Sequence, residues 1–505
     1  MGRRIRWLGV VMVLCFALIV VQLVNIQFRR APALADSPYN PRIAVLRFDN
    51  LRGTITAADG TVLAKSVKAT SGAYHYMRQY PGGALYGPIT GYDSIFFGTS
   101  GIEYQYNQYL RSHPQTPQNL SQLIFDPPSS APDDVQLTID PVLQQAAFTA
   151  LTTLPPGVDK DGAVVVLSPT TGAVLAMVSN PSFDPSDFAN PDITVERGAD
   201  YADSEPDHEG YKPIVPLTTQ SRFAPGSTFK VVTSTAVYNL KKSLENFSFT
   251  PAVCTTFSDS PGYHLCNDGL TKCGGTMITM LPESCDPGYA ALGAKIGVPI
   301  MTEQAQLFGI AVDGSPNQYV PKLDLPNVEP SVFSNLPVGS QAGLGQSAIG
   351  QLNDQLTPLQ NALIAAGIAN GGVIMTPHLM ESIRDSQGNL VKTYQPTPML
   401  TAASQTAAAS VDDLMQGVAS HGTAAGIFPA SWDVAVKTGT AQVKVAQVEQ
   451  TDDWMIGFMP ARGTPRLAIA VVVPYQSQDL TGAVVAGPIV KAVFGAYLKE
   501  NGGPG

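Results

Sequence analysis

The chain has 505 residues, enough for two or three domains that each bury a core. Hydrophobic residues at 44% exclude a disordered chain, and charged residues at only 14% leave a sparsely charged surface. A net charge of -10, with no Lys/Arg run beyond Arg30, argues against nucleic acid as a partner.

Arg3, Arg4 and Arg6 precede an uncharged, mainly apolar run from Trp7 to Phe28, closed by Arg29 and Arg30. Such a run is long enough to cross a hydrocarbon core of about 30 Å, and longer than a signal-peptide core. It is read as an uncleaved anchor (7–28) with a cytoplasmic tail (1–6), Ala31-Pro32-Ala33 and Ala33-Leu34-Ala35 keeping a cleaved signal as the alternative. No second apolar stretch of spanning length is evident, so the rest of the chain is expected outside. That compartment oxidises thiols. Cys254, Cys266, Cys273 and Cys285 then allow three disulfide connectivities, with Cys273–Cys285 the favoured pair and free thiols the alternative. No C-x-x-C knuckle points to zinc.

A Pro/Ala linker covers Ala31 to Pro41, and short alternating segments from Ile43 to about Asp126 predict a β-rich region. A Pro/Ser linker, Asp126 to Pro132, precedes a strand at Val135–Ile139 and a helix at Pro141–Leu151; the domain boundary is placed at 150. Ala163–Leu167 and Ala173–Met177 predict a hairpin. Asp433–Lys444, Trp454–Met459 and Arg466–Val473 predict three more strands, followed by a helix over Gly487–Lys499, with mostly helical patterns such as Phe229–Asn239 and Pro358–Ala369 between. One antiparallel sheet built from both ends of the region 151–500, with a helical insertion, is the simplest assembly.

In Ala224-Pro225-Gly226-Ser227-Thr228-Phe229-Lys230, Pro and Gly end an extended segment where apolar spacing starts a helix. Ser227 and Lys230, at i and i+3, share one helical face, so the amine can take the hydroxyl proton. The pattern is common by itself. Lys437-Thr438-Gly439-Thr440 offers an ammonium and hydroxyls for a carboxylate, and a glycine that lets a ligand backbone approach the strand. Ser284-Cys285-Asp286 lies between the two.

In that order, S-x-x-K, S-x-N or a variant, and K-T-G form the signature of penicilloyl-serine transferases. The chain resembles class B penicillin-binding proteins well beyond these motifs. Arg52-Gly53-Thr54-Ile55, Asp59 to Ala64 and Ser66 match the opening motif, and Gly101-Ile102-Glu103 matches the G-x-E segment of the N-terminal module. Thr138-Ile139-Asp140 with Gln144, the Gly162–Pro181 hairpin, Thr357–Gln360, Asn370-Gly371-Gly372, Gly422-Thr423-Ala424 and Trp454–Pro460 also match. It is most similar to the short actinobacterial cell-division type, since no PASTA-type module follows the last helix.

The resemblance implies an α+β fold: a serine β-lactamase-like transpeptidase domain (151–500) with antiparallel sheet and helical subdomain, after a β-rich pedestal module (29–150). It implies a D,D-transpeptidase acting on peptidoglycan stem peptides and acylated by β-lactams. Its partners would be the plasma membrane, through one helix, and glycosyltransferase or divisome proteins. Ser227 would be the nucleophile, Lys230 the general base and Ser284 a proton relay; the backbone N–H groups of Ser227 and Thr440 would form the oxyanion hole. Lys437, Thr438 and Thr440 would hold the substrate carboxylate beside Gly439, and Lys437 would depress the Lys230 pKa by repulsion. No metal or other cofactor is implied, and the six histidines show no ligand spacing, His208 and His264 being unassigned.

Where the family has Asn, this chain has Asp286, which as a carboxylate only accepts hydrogen bonds. A working site with Asp286 near Lys230 is the expectation, with altered substrate preference and impaired catalysis as the others. The rival functions are a D,D-carboxypeptidase, a β-lactamase and a catalytically weak scaffold. The pedestal strands are expected to lack a titratable cluster, with Arg78, Glu103 and Arg111 surface or structural charges.

Overall fold

The computed structural model describes residues 2–29, 48–69, 75–114, 130–190, 192–207, 210–315, 319–445 and 448–503. Gly2–Val24 forms helix α1, and the span Arg6–Gln27, with mean hydropathy 2.7, has none of its surface buried. That is compatible with a membrane anchor. The Ala31–Pro41 linker lies outside the described residues, as does most of the Asp126–Pro132 linker.

The next region interleaves strands Ile55–Thr56 (β1), Val62–Lys68 (β2) and Tyr76–Gln79 (β3) with short helices Gly87–Thr90 (α2), Gly101–Gln105 (α3) and Asn107–Leu110 (α4). It is thus mixed, more helical than the alternation in its sequence suggests. It also corrects the expectation of no titratable cluster. Arg52 and Arg78 both donate through Nε to the Glu103 carboxylate at 2.6 Å, and Asp93 lies 3.6 Å from Arg52, all four nearly completely buried. Arg111 is exposed.

Strand Asp134–Leu137 (β4) leads to helix Pro141–Thr152 (α5), whose start is fixed by the Asp140 carboxylate accepting from the Val142 and Leu143 amides and by Pro141 in the first turn. The expected hairpin follows as Gly162–Leu167 (β5) and Val174–Asn180 (β6). The segment carrying Ser227 forms a 3₁₀ turn, Gly226–Phe229, that runs into helix Lys230–Leu240 (α6). A disulfide-bridged hairpin, Cys254–Phe257 (β7) and Ser260–Cys266 (β8), precedes helix Asp286–Ile296 (α7). The second disulfide is Cys273–Cys285.

Helix Pro358–Ala369 (α8) is mostly apolar and almost wholly buried; strands Met380–Arg384 (β9) and Leu390–Thr393 (β10) follow it. After helix Gln405–His421 (α9) come three long strands, Ala435–Val445 (β11), Val448–Met459 (β12) and Leu467–Gln476 (β13), and helix Gly482–Glu500 (α10). That last helix is itself long and apolar enough to cross a membrane, against the expectation of a single such stretch. It packs instead on β11, β12, β13 and α5.

The five-stranded sheet has the order β6-β5-β13-β12-β11, every pairing antiparallel, and joins both ends of the region 151–500 as expected. Helix α8 packs on it with α5 and α10, so β5 and β13 read as near-continuous apolar runs. Each fully buried Val, Leu or Ile there contributes about 1.5–3 kcal/mol. A second, six-stranded sheet, β10-β9-β4-β1-β2-β3, was not foreseen. In it β9, from deep in the region 151–500, pairs with β4, which pairs in parallel with β1.

Candidate active site

Three elements converge where the 3₁₀ turn meets the edge of the five-stranded sheet. The Trp454 indole on β12 donates to Ala224 O at 2.9 Å and so ties the Ser227 turn to the sheet. Gly439 serves this junction: a Cβ there would sit 2.9 Å from Thr228 Cγ2 and 3.0 Å from Pro225 O. Its bareness lets β11 approach the protein's own turn, not a ligand as its sequence position suggests.

Lys230 is completely buried. Its Nζ lies 2.9 Å from Ser227 Oγ, 2.7 Å from Ser284 O, 3.2 Å from Ser284 Oγ and 2.7 Å from Asp286 Oδ1. The Tyr289 ring, one turn after Asp286 on α7, adds a cation–π contact at 5.6 Å. Burial pulls the Lys230 pKa below the ordinary lysine range, and Asp286 pushes back. Lys437, also completely buried, donates to Ser284 Oγ at 2.9 Å and to Thr438 O at 2.8 Å. Its pKa lies well below the usual value, through burial first and the charge of Lys230 second. The expected like-charge repulsion is therefore felt at Lys437, while desolvation dominates at Lys230.

Ser284 thus bridges the two lysines through one hydroxyl. Its backbone is left-handed, φ 56°, a costly conformation for a residue with a side chain. What holds it there is its surroundings: the Cys273–Cys285 disulfide, the Cys285 amide on Met280 O at 2.9 Å, and the Asp286 amide on Asn267 Oδ1 at 3.0 Å. On β11, the Thr438 hydroxyl lies 2.6 Å from that of Thr423, and Thr440 Oγ1 accepts from the Gly482 amide at 3.2 Å.

Ser227, Asn267, Asp286, Thr440 and Gln442 line a cleft of about 460 Å³. All eight residues singled out in the three motifs therefore lie in or directly behind one cleft. Asn267 and Tyr289 went unrecognised in the sequence, since neither stands at a motif spacing. His264 lines the cleft on β8, and His208 lies outside the described residues. Chemically, the cleft offers a hydroxyl beside an amine whose charged form is disfavoured, with a hydroxyl bridge to a second lysine. That suits acyl transfer through a serine ester.

The family model for the penicillin-binding protein transpeptidase domain matches residues 162–495, and that for the penicillin-binding protein A dimerisation domain matches 52–126. The chain is 33% identical to peptidoglycan D,D-transpeptidase PbpA of Mycolicibacterium smegmatis, over 99% of this chain and 100% of the relative. It is 32% identical to the PbpA of Mycobacterium tuberculosis, over 99% of each. Among solved structures, the ceftriaxone acyl-enzyme of penicillin-binding protein A from M. tuberculosis superposes with a TM-score of 0.79 at 31% identity, covering 90% of this chain and 99% of that one. The penicillin G acyl-enzyme gives 0.77 at 30% identity, over 89% and 100%. A serine, two buried lysines and a shared hydroxyl in one cleft, on a chain matched along its whole length, place this protein in the penicillin-binding protein transpeptidase family.

Proposed function

We propose that this chain is a peptidoglycan D,D-transpeptidase that works through an acyl-enzyme on Ser227 and is inhibited by β-lactams at the same residue. The observation that carries the reading is the buried Lys230 amine 2.9 Å from Ser227 Oγ, held by Ser284 and Asp286. Neutral Lys230 takes the Ser227 proton as Oγ attacks the carbonyl between the last two D-alanines of a stem peptide. The C–N bond breaks as Ser284 gives its proton to the leaving D-alanine amine and takes the one held by Lys230, which is then neutral again. An acceptor amine then attacks the ester, Lys230 takes its proton, and Ser227 regains one as the cross-link forms. The backbone N–H groups of Ser227 and Thr440 stabilise the oxyanion. Lys437, Thr438 and Thr440 hold the terminal carboxylate, with Gly439 keeping their strand against the nucleophile turn.

The anchor at 7–28 would place one helix in the plasma membrane with residues 29–150 as an extracytoplasmic pedestal for the catalytic domain, 151–500. The pedestal would dock glycosyltransferase or divisome proteins. Fluorescent penicillin labelling tests the reading: the wild type takes the label, Ser227→Ala does not, and labelling indifferent to Ser227 sinks it. Product analysis with an acceptor amine against water alone separates cross-linking from carboxypeptidase activity.

A further inference from the structure

Asp453 lies on β12 directly opposite Thr440 of β11 in the antiparallel register, so both side chains leave the sheet on the same face. The start of α10 covers that face. The Gly482 amide donates to Thr440 Oγ1, and Gly482 packs so tightly that a Cβ would lie 2.3 Å from Gly439 O. Beneath it Asp453 is completely buried, and neither carboxyl oxygen has a hydrogen-bond partner in ordinary geometry. Among the described residues no lysine or arginine forms an ion pair with it.

The mechanism above makes no use of this acid, and an unpaired buried carboxylate is costly. Its surroundings keep it neutral. Thr440 on β11 and Thr451 on its own strand bring hydroxyls, Val473 faces it in register from β13, and Asp452 beside it and Asp268 at the cleft both oppose its ionisation. Burial, opposed by the two hydroxyls and aided by the two aspartates, pushes its carboxyl up to about 8.

A threonine hydroxyl has one hydrogen to give and two lone pairs to fill. The Gly482 N–H occupies one lone pair of Thr440 Oγ1. We propose that Asp453 is a positioning residue for carboxylate recognition: its O–H fills the second lone pair of Thr440 Oγ1, which directs the threonine hydrogen into the cleft toward the substrate's terminal carboxylate. When Asp453 ionises, the direction reverses. The carboxylate draws the Thr440 hydrogen to itself and sets a negative charge behind the site, so carboxylate-bearing ligands bind more weakly while the Ser227–Lys230 pair is untouched. This rests on Thr440 holding the substrate carboxylate, as assigned above.

The test compares acylation of the full chain by penicillin G and by its methyl ester across pH, in wild type and Asp453→Asn, whose amide is a donor that cannot ionise. From about pH 7 to about pH 9 the variant to wild-type ratio of second-order rates for penicillin G should rise about ten-fold, as expected for one acid titrating midway. The rise should lie in the binding constant, not in the limiting acylation rate, and should be absent with the ester. A flat ratio, or an equal rise with the ester, overturns the proposal. If Asp453→Asn does not fold, Asp453→Ser, a smaller non-ionising donor, carries the same comparison. Absence of Ser227-dependent acylation in the wild type would instead overturn the functional reading itself.

Discussion

Two clusters of buried charge lie in this molecule, and they are built to opposite ends. In the N-terminal region Glu103 sits between Arg52 and Arg78, and although burial opposes ionisation, the two guanidiniums hold its carboxyl below the usual range. Glu103 keeps its charge, as does Arg52, which lies above its ordinary value despite burial. In the cleft, Lys230 and Lys437 share a single carboxylate, and burial pulls both below the lysine range. Charge balance separates a strut from a reagent. Linkage gives both clusters the same slope, stability rising with pH, but in different windows. The Glu103 contribution is present above its unfolded value of about 4.3 and is lost as pH falls through its lowered folded value. The lysines bind more protons unfolded than folded, so their contribution improves as pH rises from the folded value toward about 10.4.

The largest effect should come from removing the reagent. Lys230→Ala is expected to slow acylation by a labelled penicillin about a thousand-fold or more while thermal unfolding shows a folded protein; a loss of under ten-fold would mean the amine is not the base. The strut should answer the other way. Glu103→Gln strands two buried guanidiniums and should cost about 3–5 kcal/mol, read as a fall in denaturation midpoint, with the acylation rate of the remaining folded protein retained. If acylation falls in step with stability lost, the two regions are not separable.

Cys273→Ser should cost about 2–4 kcal/mol by opening a short loop. Because Cys285 directly follows Ser284, it should also slow acylation, which removal of a remote disulfide would not do. The smallest expected effect is that of Asp286→Asn. Asp286 raises the Lys230 pKa, so its loss should move the acid limb of the acylation profile to lower pH, a gain on the order of ten-fold on that limb. An unmoved limb would remove the carboxylate from control of the base.

The cleft was legible because its three motifs are short and local, each resting on one turn or one strand. The hairpin β5–β6, the strands β11 to β13 and helix α8 were legible for the same reason: their apolar pattern is set by their own burial. The strut was not, because Arg52 and Glu103 are 51 residues apart and a buried ion pair leaves no period in the sequence. Nor was Asp453, whose meaning lies in the strand register that sets it opposite Thr440. Helix α10 begins at Gly482, earlier than the expected Gly487, since Pro488 lies inside it and reads as a helix start.

The six-stranded sheet has a practical consequence for making the protein. A fragment begun at residue 151, where the sequence suggests a cut, would lose β4 from between β1 and β9 and leave the inner edge of β9 unpaired. Such an edge seeks other chains, so the excised catalytic domain should aggregate. A fragment lacking only the N-terminal helix keeps β1, β4 and β9 together, and is the form to express for inhibitor screening.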